Sequence, residues 1–141
     1  MTEQTPETIR YTADVVVITT DRHVLLIERD RAPHKDAWAL PGGHVDPGET
    51  SRAAAVRLAE EAGVYVSEEE VKQLGVWERL NRSPGRCVTV GYCLEVIPAT
   101  SIEAGDDAIR AEWWSLDALP PLALTHYAII RAAAKAIDPT A

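Results

Sequence analysis

Between Leu40 and Val64 the chain runs from a glycine turn, Pro41-Gly42-Gly43, past a carboxylate at Glu49 into an Ala- and Leu-rich run that Gly63 closes. No other stretch restricts the fold so tightly. Thr50 or Ser51 is an N-cap residue, Arg52 to Ala62 is built of good helix formers, and glycine is the residue a helix end most readily accepts in the left-handed conformation. The stretch therefore predicts a helix of about three turns. At about 100° per residue, Ala55, Leu58, Ala59 and Ala62 fall on one side and Arg57, Glu60 and Glu61 on the other. One face is to be buried against a neighbour and the other presents charge. The two glycines before the helix allow close approach to the backbone there.

What the helix packs against is legible in the flanking segments. Residues 11 to 20 and 24 to 28 are β-branched and aliphatic runs joined by Asp21-Arg22-His23, which predicts a hairpin. Residues 31 to 37 read as a polar, proline-containing loop, followed by a short strand at Trp38-Ala39-Leu40. Val71 to Leu80 and Arg86 to Ile97 read as strands joined by the turn-forming string of residues 81 to 85, and Trp113 to Leu116 as one more short strand. A turn at residues 117 to 121 leads into a second amphipathic helix, Leu124 to Ile137. Strands before, between and after two helices predict an α/β fold, a mixed sheet between helices.

With 141 residues and 46% hydrophobic content the chain supplies one core, so a single domain over residues 9–141 is expected behind a polar tail of residues 1–8. A net charge of -8 repels a polyanion over most of the surface, which argues against nucleic acid as a partner but leaves room for a small phosphate ligand. Cys87 and Cys93 have no second pair to form a metal-ligand spacing and read as ordinary thiols in a reducing compartment. No signal-like apolar segment and no run of about eighteen apolar residues is present, so a cytoplasmic location without membrane contact is the expectation.

The chemistry that this arrangement suits is that of hard divalent cations, which need oxygen ligands. Carboxylates on one helical face beside a backbone carbonyl at a Gly-Gly turn can hold Mg²⁺ or Mn²⁺ against a diphosphate, and the implied reaction is hydrolysis of a phosphoanhydride. Spacing alone favours a solvated face on which Arg57 pairs with Glu60 or Glu61, since such pairs are common.

The same stretch resembles the Nudix box, whose pattern is Gly, five residues, Glu, seven residues, then Arg-Glu-apolar-x-Glu-Glu-x-Gly-apolar. Gly43 and Glu49 match its start and Glu60-Glu61-Ala62-Gly63-Val64 its end, with Leu40-Pro41-Gly42 leading in. The resemblance implies the family's α/β/α sandwich. It also implies metal ligation by Glu60, Glu61, Glu49 and the Gly42 carbonyl, with Glu60 a ligand or base. The match is one residue short between Glu49 and the Glu-Glu pair. A gap near Ser51 puts Arg57 at the family's first helix Glu, and a gap after Arg57 deletes that Glu. Either way one carboxylate is missing, and Arg57 stands where its cation can satisfy Glu60 and Glu61, which would weaken metal binding. Arg57 is thus counted with Glu60 and Glu61 among the catalytic positions.

Later segments, from Arg82 through Gly105-Asp106-Asp107-Ala108 to Leu122-Ala123-Leu124-Thr125-His126, resemble ADP-ribose pyrophosphatases and related regulators of NAD metabolism. That resemblance implies a nucleotide substrate, ADP-ribose cleaved to AMP and ribose 5-phosphate. Arg82 and Arg86 are then expected on the diphosphate, His126 in the ligand pocket, and Asp106 or Asp107 as a late-loop acid. An 8-oxo-dGTP-type triphosphatase, or a domain that binds ADP-ribose without cleaving it, are the other readings. Tyr92, Trp77 and Trp113 read as core aromatics. Family habit implies a homodimer, with no interface legible in the chain.

Overall fold

The structure, a computed structural model, describes residues 8–29, 37–80, 85–105 and 108–138, and of Ile109 and Leu124 the backbone alone. Seven strands form one sheet: β1 (Ile9–Thr19), β2 (His23–Arg29), β3 (Trp38–Ala39), β4 (Gly42–His44), β5 (Lys72–Leu80), β6 (Arg86–Val96) and β7 (Ala108–Ser115). Two α-helices, α1 (Ser51–Glu61) and α2 (Leu124–Ile137), cover its two faces. The strand order is β3-β2-β1-β6-β5, with β4 added to β1 and β7 to β2. β1 and β6 run parallel from Ile9↔Arg86 to Thr19↔Val96, and the other pairs are antiparallel, so the sheet is mixed as expected.

β1 shows why the helices lie on opposite sides. Side chains alternate between the faces of a strand. Val15 and Val17 join Ala54, Ala55, Leu58 and Ala59 of α1 in one core, while Val16 and Ile18 join Ile129, Ile130 and Ala133 of α2 in the other. A continuous apolar run is what a strand covered on both faces requires. Tyr92 is buried as read, and its hydroxyl lies 2.7 Å from Ser51 Oγ, tying β6 to the start of α1. Trp113 and Trp77 pack against the first and second core, and Cys87 and Cys93 are buried free thiols.

Two elements differ from the sequence reading. The short strand expected at residues 113 to 116 is the end of β7, eight residues long. Its first half carries Arg110, which looks like a loop residue but pairs across the ladder with Glu28: Arg110 Nη2 donates to Glu28 Oε2 at 2.9 Å, and Glu112 lies 3.5 Å from Arg110 on the same strand. The glycine turn continues into β4, whose Gly42 and Gly43 pair with Asp14 and Ala13. The loop of residues 31–37 lies outside the described residues except for Ala37, as do the turn residues 81–84 and seven residues of the N-terminal tail. Among the described residues no helix is long and apolar enough to cross a membrane.

Candidate active site

Helix α1 is fixed at both ends by backbone chemistry that the sequence supplies. Thr50 Oγ1 accepts from Ala53 N–H at 3.0 Å. At the far end Val64 N–H reaches Ala59 O and Gly63 N–H reaches Glu60 O, both at 2.9 Å, with Gly63 at φ +86°. That is a Schellman end, and the left-handed residue in it is the glycine anticipated from sequence. The absence of a side chain at Gly63 serves a second purpose. A Cβ there would lie 3.0 Å from Glu103 N, whose N–H donates to Ala62 O at 2.9 Å. Residues 103 to 105 thereby close onto the end of α1, and Gly105 comes close enough that a Cβ would lie 2.9 Å from Glu61 O.

Between this segment and α1 opens a cleft of about 590 Å³. Arg57, Glu60 and Glu61 of α1 line it together with Glu103 and Gly105 and with Pro41 and Gly42 of the glycine turn. The volume is in the range of small-molecule sites. Tyr65, 70% exposed, stands at the cleft as well.

Arg57 organises the charges. Its Nε and Nη2 donate to the two carboxylate oxygens of Glu49 at 3.0 and 3.1 Å, and Nη2 also donates to His44 O at 2.9 Å. Asp46 lies 3.7 Å from Nε, and Glu61 Oε1 3.4 Å from Nη1. The expected pairing within the helix is present with Glu61, but the main partner of Arg57 is Glu49, eight residues earlier, because a planar guanidinium gains more from a two-pronged match than from one long contact. The pair, aided by the Asp46 N–H, holds the Glu49 carboxyl below its ordinary range, and Glu49 in turn raises the Arg57 guanidinium. Glu61 keeps 56% of its side chain exposed against 17% for Glu49, and Glu60 has no ion-pair partner among the described residues.

The structure thus brings Gly42, Arg57, Glu60 and Glu61 together on one cleft and sets Glu49 behind Arg57. Arg86 donates to Glu78 Oε1 at 2.7 Å on the β5–β6 pair, away from the cleft lining. His126 is only 16% exposed and lies against Asp14 and Leu40 rather than on the cleft. Arg82, Asp106 and Asp107 lie outside the described residues. Sequence reasoning missed Glu103 and Asp14. The signal for Asp14 was present: a lone carboxylate inside an apolar strand run has to find partners. Glu103 carried no local signal, since only the fold of the 102–105 segment onto Gly63 puts it on the same cleft as Glu60.

Among the described residues no three His, Cys, Asp or Glu side chains converge tightly enough to enclose an ion by themselves. The oxygen donors along the cleft include the Glu60, Glu61 and Glu103 carboxylates and the backbone at Gly42. Mg²⁺ is ordinarily held by one or two carboxylates together with substrate phosphates and water, so this donor set fits an ion completed by a diphosphate.

Comparison with known proteins agrees with this geometry. A family model described as the NUDIX domain matches residues 8–133. An ADP-ribose pyrophosphatase of Methanocaldococcus jannaschii is 40% identical over 117 residues, covering 82% of this chain and 68% of that protein. The 8-oxo-dGDP phosphatase NUDT18 of Homo sapiens is 32% identical over 117 residues, and the chain spans 35% of its length. Among solved structures, the NUDIX domain of Shewanella oneidensis NrtR complexed with ADP ribose superposes with a TM-score of 0.81 at 26% identity, covering 93% of this chain and 90% of that one. A MutT NUDIX hydrolase from Burkholderia pseudomallei gives 0.77 at 27% identity, covering 89% and 98%.

Proposed function

Because the chain belongs to the Nudix family, we propose that it hydrolyses a phosphoanhydride of a nucleoside diphosphate derivative, with ADP-ribose the favoured substrate and AMP and ribose 5-phosphate the products. The observation that carries the reading is the cleft at the Schellman end of α1. Glu60, with no ion-pair partner among the described residues, and Glu61, reached by Arg57 at 3.4 Å, line a space of nucleotide size there, and Glu103 lines it as well. Glu60 and Glu61, with the Gly42 carbonyl, hold a divalent cation, Mg²⁺ or Mn²⁺. When bound, such an ion neutralises diphosphate oxygens and acidifies the attacking water.

The chain's own side chains do the rest. Water attacks one phosphorus, the bond from that phosphorus to the bridging oxygen breaks, and a carboxylate of Glu60, Glu61 or Glu103 accepts the proton of the water. Glu103 lines the cleft, and the late-loop acid expected at Asp106 or Asp107 follows it closely in the chain. Glu49 contributes through Arg57, by fixing the 44–49 loop against the helix. Arg82 and Asp107 stay assigned to the substrate, and residues 9–141 are taken as one domain.

A second reading, a domain that binds ADP-ribose without cleaving it, is favoured by one observation: Arg57 already reaches Glu61 and holds Glu49, so part of the carboxylate set is engaged by a built-in cation. Purified protein incubated with ADP-ribose, NADH, diadenosine polyphosphates and 8-oxo-dGTP, with Mg²⁺ or Mn²⁺ or with chelator, separates the two. The expected outcome is AMP and ribose 5-phosphate from ADP-ribose, abolished by chelator. Binding of ADP-ribose in calorimetry without turnover of any compound establishes the second reading, and preferred release of pyrophosphate from 8-oxo-dGTP replaces the substrate.

A further inference from the structure

On the face of the sheet opposite α1, two buried polar side chains and a half-buried histidine meet behind the glycine turn. Asp14, 8% exposed, stands on β1 directly across from Gly42. Its Oδ1 is so close to the Gly42 backbone that a Cβ at position 42 would lie 2.1 Å from it. Thr89, 3% exposed, donates through Oγ1 to Asp14 Oδ2 at 2.7 Å. His126, in the first turn of α2, has Nε2 3.6 Å from Asp14 Oδ1, and its Nδ1 accepts the Leu40 N–H at 3.3 Å.

These contacts settle the state of the imidazole. A ring nitrogen that accepts a backbone N–H carries no proton, so in the neutral ring the proton is on Nε2 and points to Asp14. Burial favours that neutral ring: it pushes His126 below its ordinary value, against the attraction of Asp14 and with Arg79 and Arg29 adding to the shift. Leu40 is the residue before Pro41, and the Pro41 carbonyl accepts from Val15 N–H at 2.9 Å. The chain entering the cleft is therefore held on one side by β1 and on the other by α2.

We propose that His126 is a positioning residue that fixes the Leu40–Gly42 segment, and with it the Gly42 backbone at the cleft, through its Nδ1 acceptor and its anchorage on Asp14 and Thr89. It does not touch the nucleotide. The inference deepens the proposed function, because the catalytic value of the placement rests on Gly42 bordering the reacting site.

Two substitutions of similar polarity separate placement from ligand contact. In His126→Asn the amide oxygen can take the place of Nδ1, whereas in His126→Gln it falls nearer the place of Nε2. The first readout is amide hydrogen exchange by NMR, which requires neither metal nor substrate. Leu40 exchange is expected to rise about tenfold in His126→Gln and to stay near the native rate in His126→Asn, with Val16, Val17 and Leu25 unchanged in both. The second is turnover of ADP-ribose with Mg²⁺: kcat falls in His126→Gln at unchanged KM, and His126→Asn restores it. Equal Leu40 exchange in the two variants overturns the proposal, as does a rise in KM at unchanged kcat, which would put His126 on the nucleotide. If the native protein turns over nothing, the hydrolase reading has failed, and the exchange comparison alone decides whether His126 holds the segment.

Discussion

Gly42 lies between two carboxylate environments that have little in common. On the α1 side, Glu60 and Glu61 stand at an open cleft, and Glu61 has 56% of its side chain in solvent. On the α2 side, Asp14 has 12% of its side chain exposed, takes a hydrogen bond from Thr89 and faces His126. Hydrated carboxylates keep their charge at little cost and lose little when they turn onto a new cation. A buried carboxylate has been stripped of water and depends on every partner it retains. Under the proposed function, the same functional group binds on one side of the glycine turn and holds position on the other. Mutations should separate the two environments by stability as well as by activity.

The largest expected effect is at the boundary itself. Gly42→Ala drives a methyl group into Asp14 Oδ1 and should cost about 3 kcal/mol in urea unfolding, the upper end of overpacking penalties. A native-like midpoint would show that Asp14 does not press on the turn. Arg57→Ala comes next. Removing the guanidinium leaves Glu49 and the His44 carbonyl without their donor, a loss of about 1–2 kcal/mol for a side chain that is one-third exposed. Because Arg57 lowers the Glu49 carboxyl, that contribution is present above the ordinary value of 4.5 and is lost as pH falls through the lower folded value. The acid limb of stability against pH should accordingly be shallower in Arg57→Ala, and an unchanged limb would contradict the pairing.

A smaller effect is expected from the buried imidazole. Burial lowers the His126 value, so as pH drops below 6.5 the unfolded chain takes up a proton that the folded chain does not, and stability declines until the folded value is reached. His126→Asn should remove that slope while Asp14, Arg29 and Arg79 remain. A slope that persists in the variant belongs to another group. The smallest change in stability is expected at Glu60→Ala, within about 0.5 kcal/mol, since an exposed carboxylate without a partner contributes little to the fold. A larger loss there would erase the contrast between the two sides.

The helices and the hairpin could be read from sequence because each carries its own periodic signal, and α2 occurs at the expected bounds, Leu124–Ile137. β7 could not, because Arg110 looks like a loop residue until Glu28 on β2 is brought beside it. β4 is made of glycines and a histidine, which carry no strand pattern, and exists because β1 offers it a ladder. The same division runs through the site. Gly42, Arg57, Glu60 and Glu61 lie close in sequence and could be nominated together, and they meet on the cleft. Asp14, Thr89 and His126 are far apart along the chain and meet only through the parallel β1–β6 pair and the docking of α2. The second partner of Arg57 was missed for a related reason: helical spacing points to Glu60 and Glu61, and the contact with Glu61 is there, while the loop that folds back over α1 delivers Glu49.

The central claim, that carboxylates at the Schellman end of α1 carry a hydrolytic reaction, is tested most directly by single-turnover release of AMP from ADP-ribose with Mg²⁺, comparing the native protein with Glu61→Gln. That substitution keeps the size of the side chain and removes its charge at an exposed position. The account predicts metal-dependent release by the native protein and a rate about 100-fold lower in the variant, with unfolding midpoints that agree. Equal rates in the two proteins, or no release by the native protein in the presence of metal, would contradict it.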